Sequence, residues 1–164
     1  MEHREFFETL RAQCAILPWI HTIAPPAKGL ELAELPADYK HVLAEADGFA
    51  LSQTRMRGEL VGAAFEVPSL AGTVPLSTAM YGPRGPRKGV PAWLQRSRVV
   101  GRHTDGSFYV GLDPVSSAYY SVEPIVVGEA EIVARSSSQY LRWLMRFLPS
   151  SEELHELLAS DTEA

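Results

Sequence analysis

The sequence has a single cysteine, Cys14, among 164 residues, so no intrachain disulfide can form and no cysteine cluster can hold zinc. It also lacks long apolar runs. The start, Met1-Glu2-His3-Arg4-Glu5, is charged and nothing of membrane-spanning length follows it, so neither a signal peptide nor a membrane span is expected, and the expected location is the cytoplasm. Excess positive charge is missing as well. A net charge of -5 weighs against broad nucleic-acid binding. No internal repeat or low-complexity tract occurs. The five histidines, His3, His21, His41, His103 and His155, show no metal-ligand spacing, so no metal and no cofactor is expected. There is no Gly-x-Ser-x-Gly elbow, and Gly82 to Gly89 lacks the Gly-Lys-Ser/Thr ending of a phosphate loop.

The residues present are those of an ordinary globular domain, 46% apolar and 21% charged, long enough to bury one core without staples. Charge is polarised along the chain. Glu31 to Asp47 holds five acids against Lys40, and Glu152 to Glu163 adds five more, whereas Arg84, Arg87, Lys88, Arg96, Arg98 and Arg102 form a basic stretch with no acid among them.

The best-marked element is Leu35 to Phe49. Pro36 suits the first helical position, Asp38 the first turn, and Tyr39, Val42, Leu43 and Ala46 fall on one helical face. Gly48 supplies a left-handed stop, and Phe49 is expected to fold back on Leu43. Before it, Phe7, Leu10, Cys14 and Leu17 predict a first helix ended by Pro18, with Cys14 as a small buried hydrophobe. Trp19 to Ile23 reads as a short turn. Glu59 to Val67 alternates as a strand, with Val61, Ala63, Phe65 and Val67 on one side and Gly62, Ala64 and Glu66 on the other.

Pro68 to Trp93, rich in Pro and Gly, reads as one long loop. Asp105-Gly106 marks a hairpin turn between Arg98 to His103 and Ser107 to Asp113, and strands are expected at Ala118 to Val122, Ile125 to Val127 and Glu129 to Ala134. Serines at 136 to 138 cap a helix with Tyr140, Leu141, Leu144, Met145 and Leu148 on its apolar face. Ser150 and Glu153 form a capping box for a last helix, and Asp161 to Ala164 is expected to fray. Helices, then strands with connections too short for crossovers, then helices predict an α+β fold: one domain over residues 1 to 160, an antiparallel sheet with helices from both chain ends packed on it.

Three groups of residues carry a family resemblance. Leu35-Pro36-x-Asp38-Tyr39 with Leu43 and Asp47-Gly48-Phe49, then Val99-Val100-Gly101 through Asp105-Gly106 to Leu112-Asp113, then Val133-Ala134-Arg135-Ser136 leading to Tyr140-Leu141, resemble the motifs of the SMI1/KNR4 family, or SUKH superfamily, in order. Asp47 stands where that family usually has Asn, and Ser107 where it often has Gly or Asp. The resemblance implies a non-catalytic binding protein, in bacteria an immunity-type protein that neutralises a cognate toxin domain in a toxin–antitoxin pair. It also implies a protein partner, while the charge balance and the lack of a long apolar run speak against nucleic acid and membrane as partners.

Candidate partner-binding acids are Glu31, Glu34, Glu45 and Asp47, because a basic toxin would be drawn to them. An alternative reading is a regulatory scaffold or adaptor docking through residues 81 to 93, where Tyr81, Arg84, Arg87 and Trp93 have the composition of an interface hot spot. A small hydrolase built on His103 and Asp105 ranks last, since Asp105 serves the turn and His103 reads as a solvent-facing strand residue.

Overall fold

Apolar side chains at alternate strand positions collect on both faces of one sheet, and the helices covering each face decide where the molecule stays open. The computed structural model describes residues 2–83, 89–124 and 130–163. In chain order these form α1 (His3–Ile16), β1 (Thr22–Ile23), α2 (Ala37–Glu45), β2 (Phe49–Met56), β3 (Glu59–Val67), α3 (Leu76–Tyr81), α4 (Ala92–Arg96), β4 (Arg98–His103), β5 (Tyr109–Leu112), β6 (Tyr119–Val122), β7 (Ala130–Ala134), α5 (Ser137–Leu144) and α6 (Ser151–Glu163). The seven strands pair in sequence order, each antiparallel to the next. The fold is α+β, one domain, with helices from both chain ends on the sheet, as the element order predicts.

The main core lies on one sheet face. Phe6, Phe7 and Leu10 of α1, Tyr39, Val42 and Leu43 of α2, and Tyr140, Leu141 and Leu144 of α5 pack on Leu51, Phe65, Val110 and Tyr119. The opposite face is only half covered: Leu76 of α3 and Leu94 of α4 join Val99 and Val122 in a second core that reaches Tyr109 and Tyr120. Neighbours such as Tyr109 and Val110, or Tyr119 and Tyr120, serve different cores, as a two-residue side-chain period requires. A third cluster joins Leu154 of α6 to Leu17 and Ile20.

Several expectations are corrected. Thr22 and Ile23 do not simply turn; they pair with Ala50 and Phe49 as an edge strand. Pro36 stands one position before the helix, with ψ 138°, and its carbonyl accepts from the amides of Tyr39 and Lys40. Gly48 does take φ +93°, but Phe49 opens β2 rather than closing the helix, because the chain turns directly into the sheet. Residues 50 to 56, given no element from the sequence, continue β2.

The long loop expected from Pro68 to Trp93 contains α3 and the start of α4, each with a proline, Pro75 or Pro91, at its N-cap: a fixed φ near -58° starts a helix as readily as it breaks one. Residues 161 to 163 continue α6 as its last turn, where Asp161 accepts from Arg55 at 3.2 Å. Ile125 to Val127 and Glu129 lie outside the described residues.

The two helix-bearing ends of the chain are tied by Asp38. One carboxylate oxygen accepts from the Ser137 amide at 2.6 Å and the other from the Ser137 hydroxyl at 2.7 Å, so an anion of α2 caps the N-terminus of α5. Asp38→Ala is expected to cost about 2 kcal/mol in urea unfolding, the range for hydrogen bonds to a charged group. A loss no larger than that of Glu34→Ala, an exposed acid, contradicts this role.

Candidate functional site: the open half of the sheet

Pairing across the sheet brings one residue from each strand into a single transverse row: Thr22, Ala50, Glu66, Arg102, Tyr109, Val122 and Ala130, each opposite the next. The last two belong under the second core. The first five line a cleft of about 610 Å³ on the half of the sheet that α3 and α4 leave uncovered. Its depth comes from small side chains. Ala24 and Ala50 form the floor at one end and Ala79 of α3 the flank at the other.

The facing wall, Pro68 to Val74, is held at several points. Asp47 Oδ1 accepts from the Leu70 amide at 2.7 Å, the Thr73 hydroxyl donates to the Val99 carbonyl at 2.6 Å, and Arg98 donates to the Thr73 carbonyl at 3.0 Å. Gly48 is required beneath it, since a Cβ there would stand 2.9 Å from the Ser69 amide nitrogen. In the floor, Arg102 donates to Glu66 Oε2 at 2.8 Å, with the side chains 50% and 37% exposed. An ion pair that open contributes at most about 1 kcal/mol, so holding the fold together does not explain its place in the apolar cleft.

The residues singled out from the sequence fall in different places. Asp47 lines the cleft, but its carboxylate is committed to the wall. Glu34 lines a separate hollow of about 220 Å³ behind that wall, beside Thr73 and Arg98. Glu31 is exposed on the short 3₁₀ turn Leu30–Leu32, and Glu45 is half-buried at the end of α2. Tyr81 and Trp93 sit together at the second core, where Trp93 stacks on Tyr120 at 4.1 Å, so a good part of its ring is spent internally. Arg84 and Arg87 lie outside the described residues.

Three other arginines of the basic stretch are engaged: Arg98 and Arg102 as above, and Arg96 through a two-point contact at 2.7 and 2.9 Å with Asp113. That contact, with the Ser116 hydroxyl and the Val115 amide, holds the buried Asp113 carboxyl far below the usual carboxylate range.

His103 and Asp105 do meet, Nδ1 to Oδ1 at 2.6 Å. His103 is not a solvent-facing strand residue, however: it is half-buried against Phe108, ring centroids 5.2 Å apart. Asp105 also accepts from Ser107, by backbone and side chain, and these bonds with His103 lower its pKa to about 2. The carboxylate therefore stands between the hydroxyl and the imidazole. A hydrolytic nucleophile needs the imidazole in that middle place to take its proton. Among the described residues no group of three or more His, Cys, Asp and Glu is gathered to hold a metal ion, and no helix is long and apolar enough to cross a membrane.

Neither a protein-family model, nor a curated protein, nor a solved structure matches the chain.

Sequence reasoning missed Ala50, Glu66, Arg102 and Tyr109 as a group. Glu66 was legible as the polar side of β3 and Arg102 as a base of β4; only the strand register joins them.

Proposed function

We propose that this protein is a non-catalytic binding module of the SMI1/KNR4 type, an immunity-type protein that captures and neutralises a cognate toxin domain. The observation that carries this reading is the division of labour between motif and surface. The residues of the resemblance serve the scaffold: Asp38 caps α5, Tyr39 and Tyr140 fill the core, Gly48 lets the 68–74 wall approach, and Asp113 anchors Arg96. What remains on the open sheet face is a shaped, mostly apolar cleft, the kind of surface that recognises rather than reacts. Net negative charge, with Glu31 and Glu34 exposed, suits fast encounter with a basic partner.

Co-expression with the product of an adjacent toxin-like gene tests the proposal. The expected outcome is a stoichiometric complex on size exclusion and relief of toxicity. Separate elution with toxicity unrelieved overturns it for that pair.

A further inference from the structure

We infer that the sheet-face cleft takes an uncharged, apolar, extended peptide segment of the partner, with one backbone amide edge seated between Glu66 and Arg102. This rests on the reading of the protein as a protein-binding module and specifies what its site accepts.

The length of the cleft argues for a chain. It runs along the transverse row from Thr22 on β1 to Tyr109 on β5, five adjacent strands. At about 4.8 Å per strand that is about 19 Å, the span of five or six extended residues. Its volume of about 610 Å³ lies within the range of sites that enclose a ligand.

The floor argues for an uncharged occupant. Glu66 and Arg102 are cross-strand neighbours already paired through one guanidinium nitrogen. Arg102 keeps further N–H donors and Glu66 further acceptor sites. A cationic group there is drawn by Glu66 and repelled by Arg102, and an anionic group the reverse. A neutral edge with a donor beside an acceptor satisfies both. One residue of an extended chain presents such an edge, its N–H and C=O pointing to the same side. The N–H then donates to the Glu66 carboxylate and the C=O accepts from Arg102. Side chains on the cleft side meet Ala24, Ala50, Val74 and Ala79, which leave room for aliphatic groups and offer them no polar partner.

The test is a titration of the ¹⁵N-labelled protein with acetyl-Ala-Leu-Ala-Leu-Ala-amide, followed by amide chemical shifts. Saturable shifts are expected at Ala50, Glu66, Arg102 and Tyr109. Replacing either leucine by Lys or by Glu, or the central amide by an ester that removes its N–H, is expected to weaken binding by about tenfold. Ala50→Phe, which fills the floor, is expected to abolish the shifts. Arg102→Ala, on an exposed side chain, serves as a second variant should Ala50→Phe perturb folding.

Absence of saturable shifts in the unmodified protein at millimolar peptide overturns the inference. So does binding of the Lys- and Glu-containing peptides as tightly as the uncharged parent peptide. Peptide binding without a toxin complex would sink the toxin reading and leave the cleft assignment standing. A toxin complex indifferent to Ala50→Phe, with the peptide silent, would do the opposite.

Discussion

Gly101→Ala is expected to destabilise the protein by about 3 kcal/mol or more, although it adds one methyl group. A Cβ at Gly101 would stand 2.3 Å from the Tyr140 hydroxyl oxygen and 2.4 Å from Phe65 Cζ. Both side chains are fully buried, and Phe65 is wedged against Phe147 and Trp143, with ring centroids 4.7 and 5.8 Å away. The close approach has a purpose. Pairing steps from Val99 opposite Gly111 to Gly101 opposite Val110, so Val100 is an extra residue outside the ladder. Its carbonyl is satisfied by the Tyr140 hydroxyl at 2.8 Å, which ties α5 to the middle of the sheet.

A methyl at 101 drives that hydroxyl away, so overpacking and an orphaned buried polar group add together. For a chain of this length the fall in Tm should be about 6 to 12 °C. Gly111→Ala is the comparison, because its closest clash is with the tip of one aliphatic side chain, Leu76 Cδ2 at 2.6 Å, where Gly101 meets two aromatic side chains and a hydrogen-bonded hydroxyl. A Gly101→Ala loss no greater than that of Gly111→Ala contradicts the account. Adding Tyr140→Phe, which removes the clashing oxygen, should restore part of the lost stability.

The elements legible from sequence were those whose local chemistry and tertiary role agree. Ser136 accepts from the Gln139 amide, Ser150 and Glu153 exchange hydrogen bonds, and Gly106 takes φ +72° in the Asp105-Gly106 turn, each as its residue type predicts. The missed elements lack a local signal. β1 is two residues long and exists because β2 pairs with it. β2 carries Ser52 at φ +51° between the Leu51 and Gln53 pairings and ends in Gln-Thr-Arg-Met, so its alternation fades halfway. Pro75 and Pro91 read as punctuation for a loop until Val99 and Val122 provide a surface on which α3 and α4 can bury Leu76 and Leu94.

The candidate site was the least legible part for the same reason. Glu66 and Arg102 are 36 positions apart, and nothing near either residue specifies the register that joins them. The motif residues, by contrast, stood out because they constrain the backbone and the core. That is why they mark the fold better than they mark the binding surface.

Acidification is expected to remove about 2 to 3 kcal/mol of stability between pH 6.5 and pH 4 through one residue, His21, after allowance for partial solvent screening. His21 is 4% exposed, and burial lowers its pKa from 6.5 to about 4. Its hydrogen bonds suit the neutral ring. The Ser52 amide donates to Nδ1 at 3.0 Å, so the ring proton sits on Nε2, which donates to Gln13 Oε1 at 2.6 Å; Gln13 in turn donates to the Pro149 carbonyl at 3.1 Å. α1, β2 and the entry to α6 thus meet at one imidazole.

The sign follows from proton counting. Between pH 6.5 and 4 the unfolded chain binds a proton at His21 that the folded chain does not, so this contribution is complete above 6.5 and is lost as pH falls towards 4. The neighbouring Cys14 thiol, with its pKa raised by burial, does not titrate in that window. His21→Asn keeps an acceptor for the Ser52 amide and loses the titration. The expected result is a variant less stable than the parent at pH 7, with a flatter stability profile from pH 6.5 to 4. Identical pH profiles for parent and variant would remove His21 as the source of acid sensitivity.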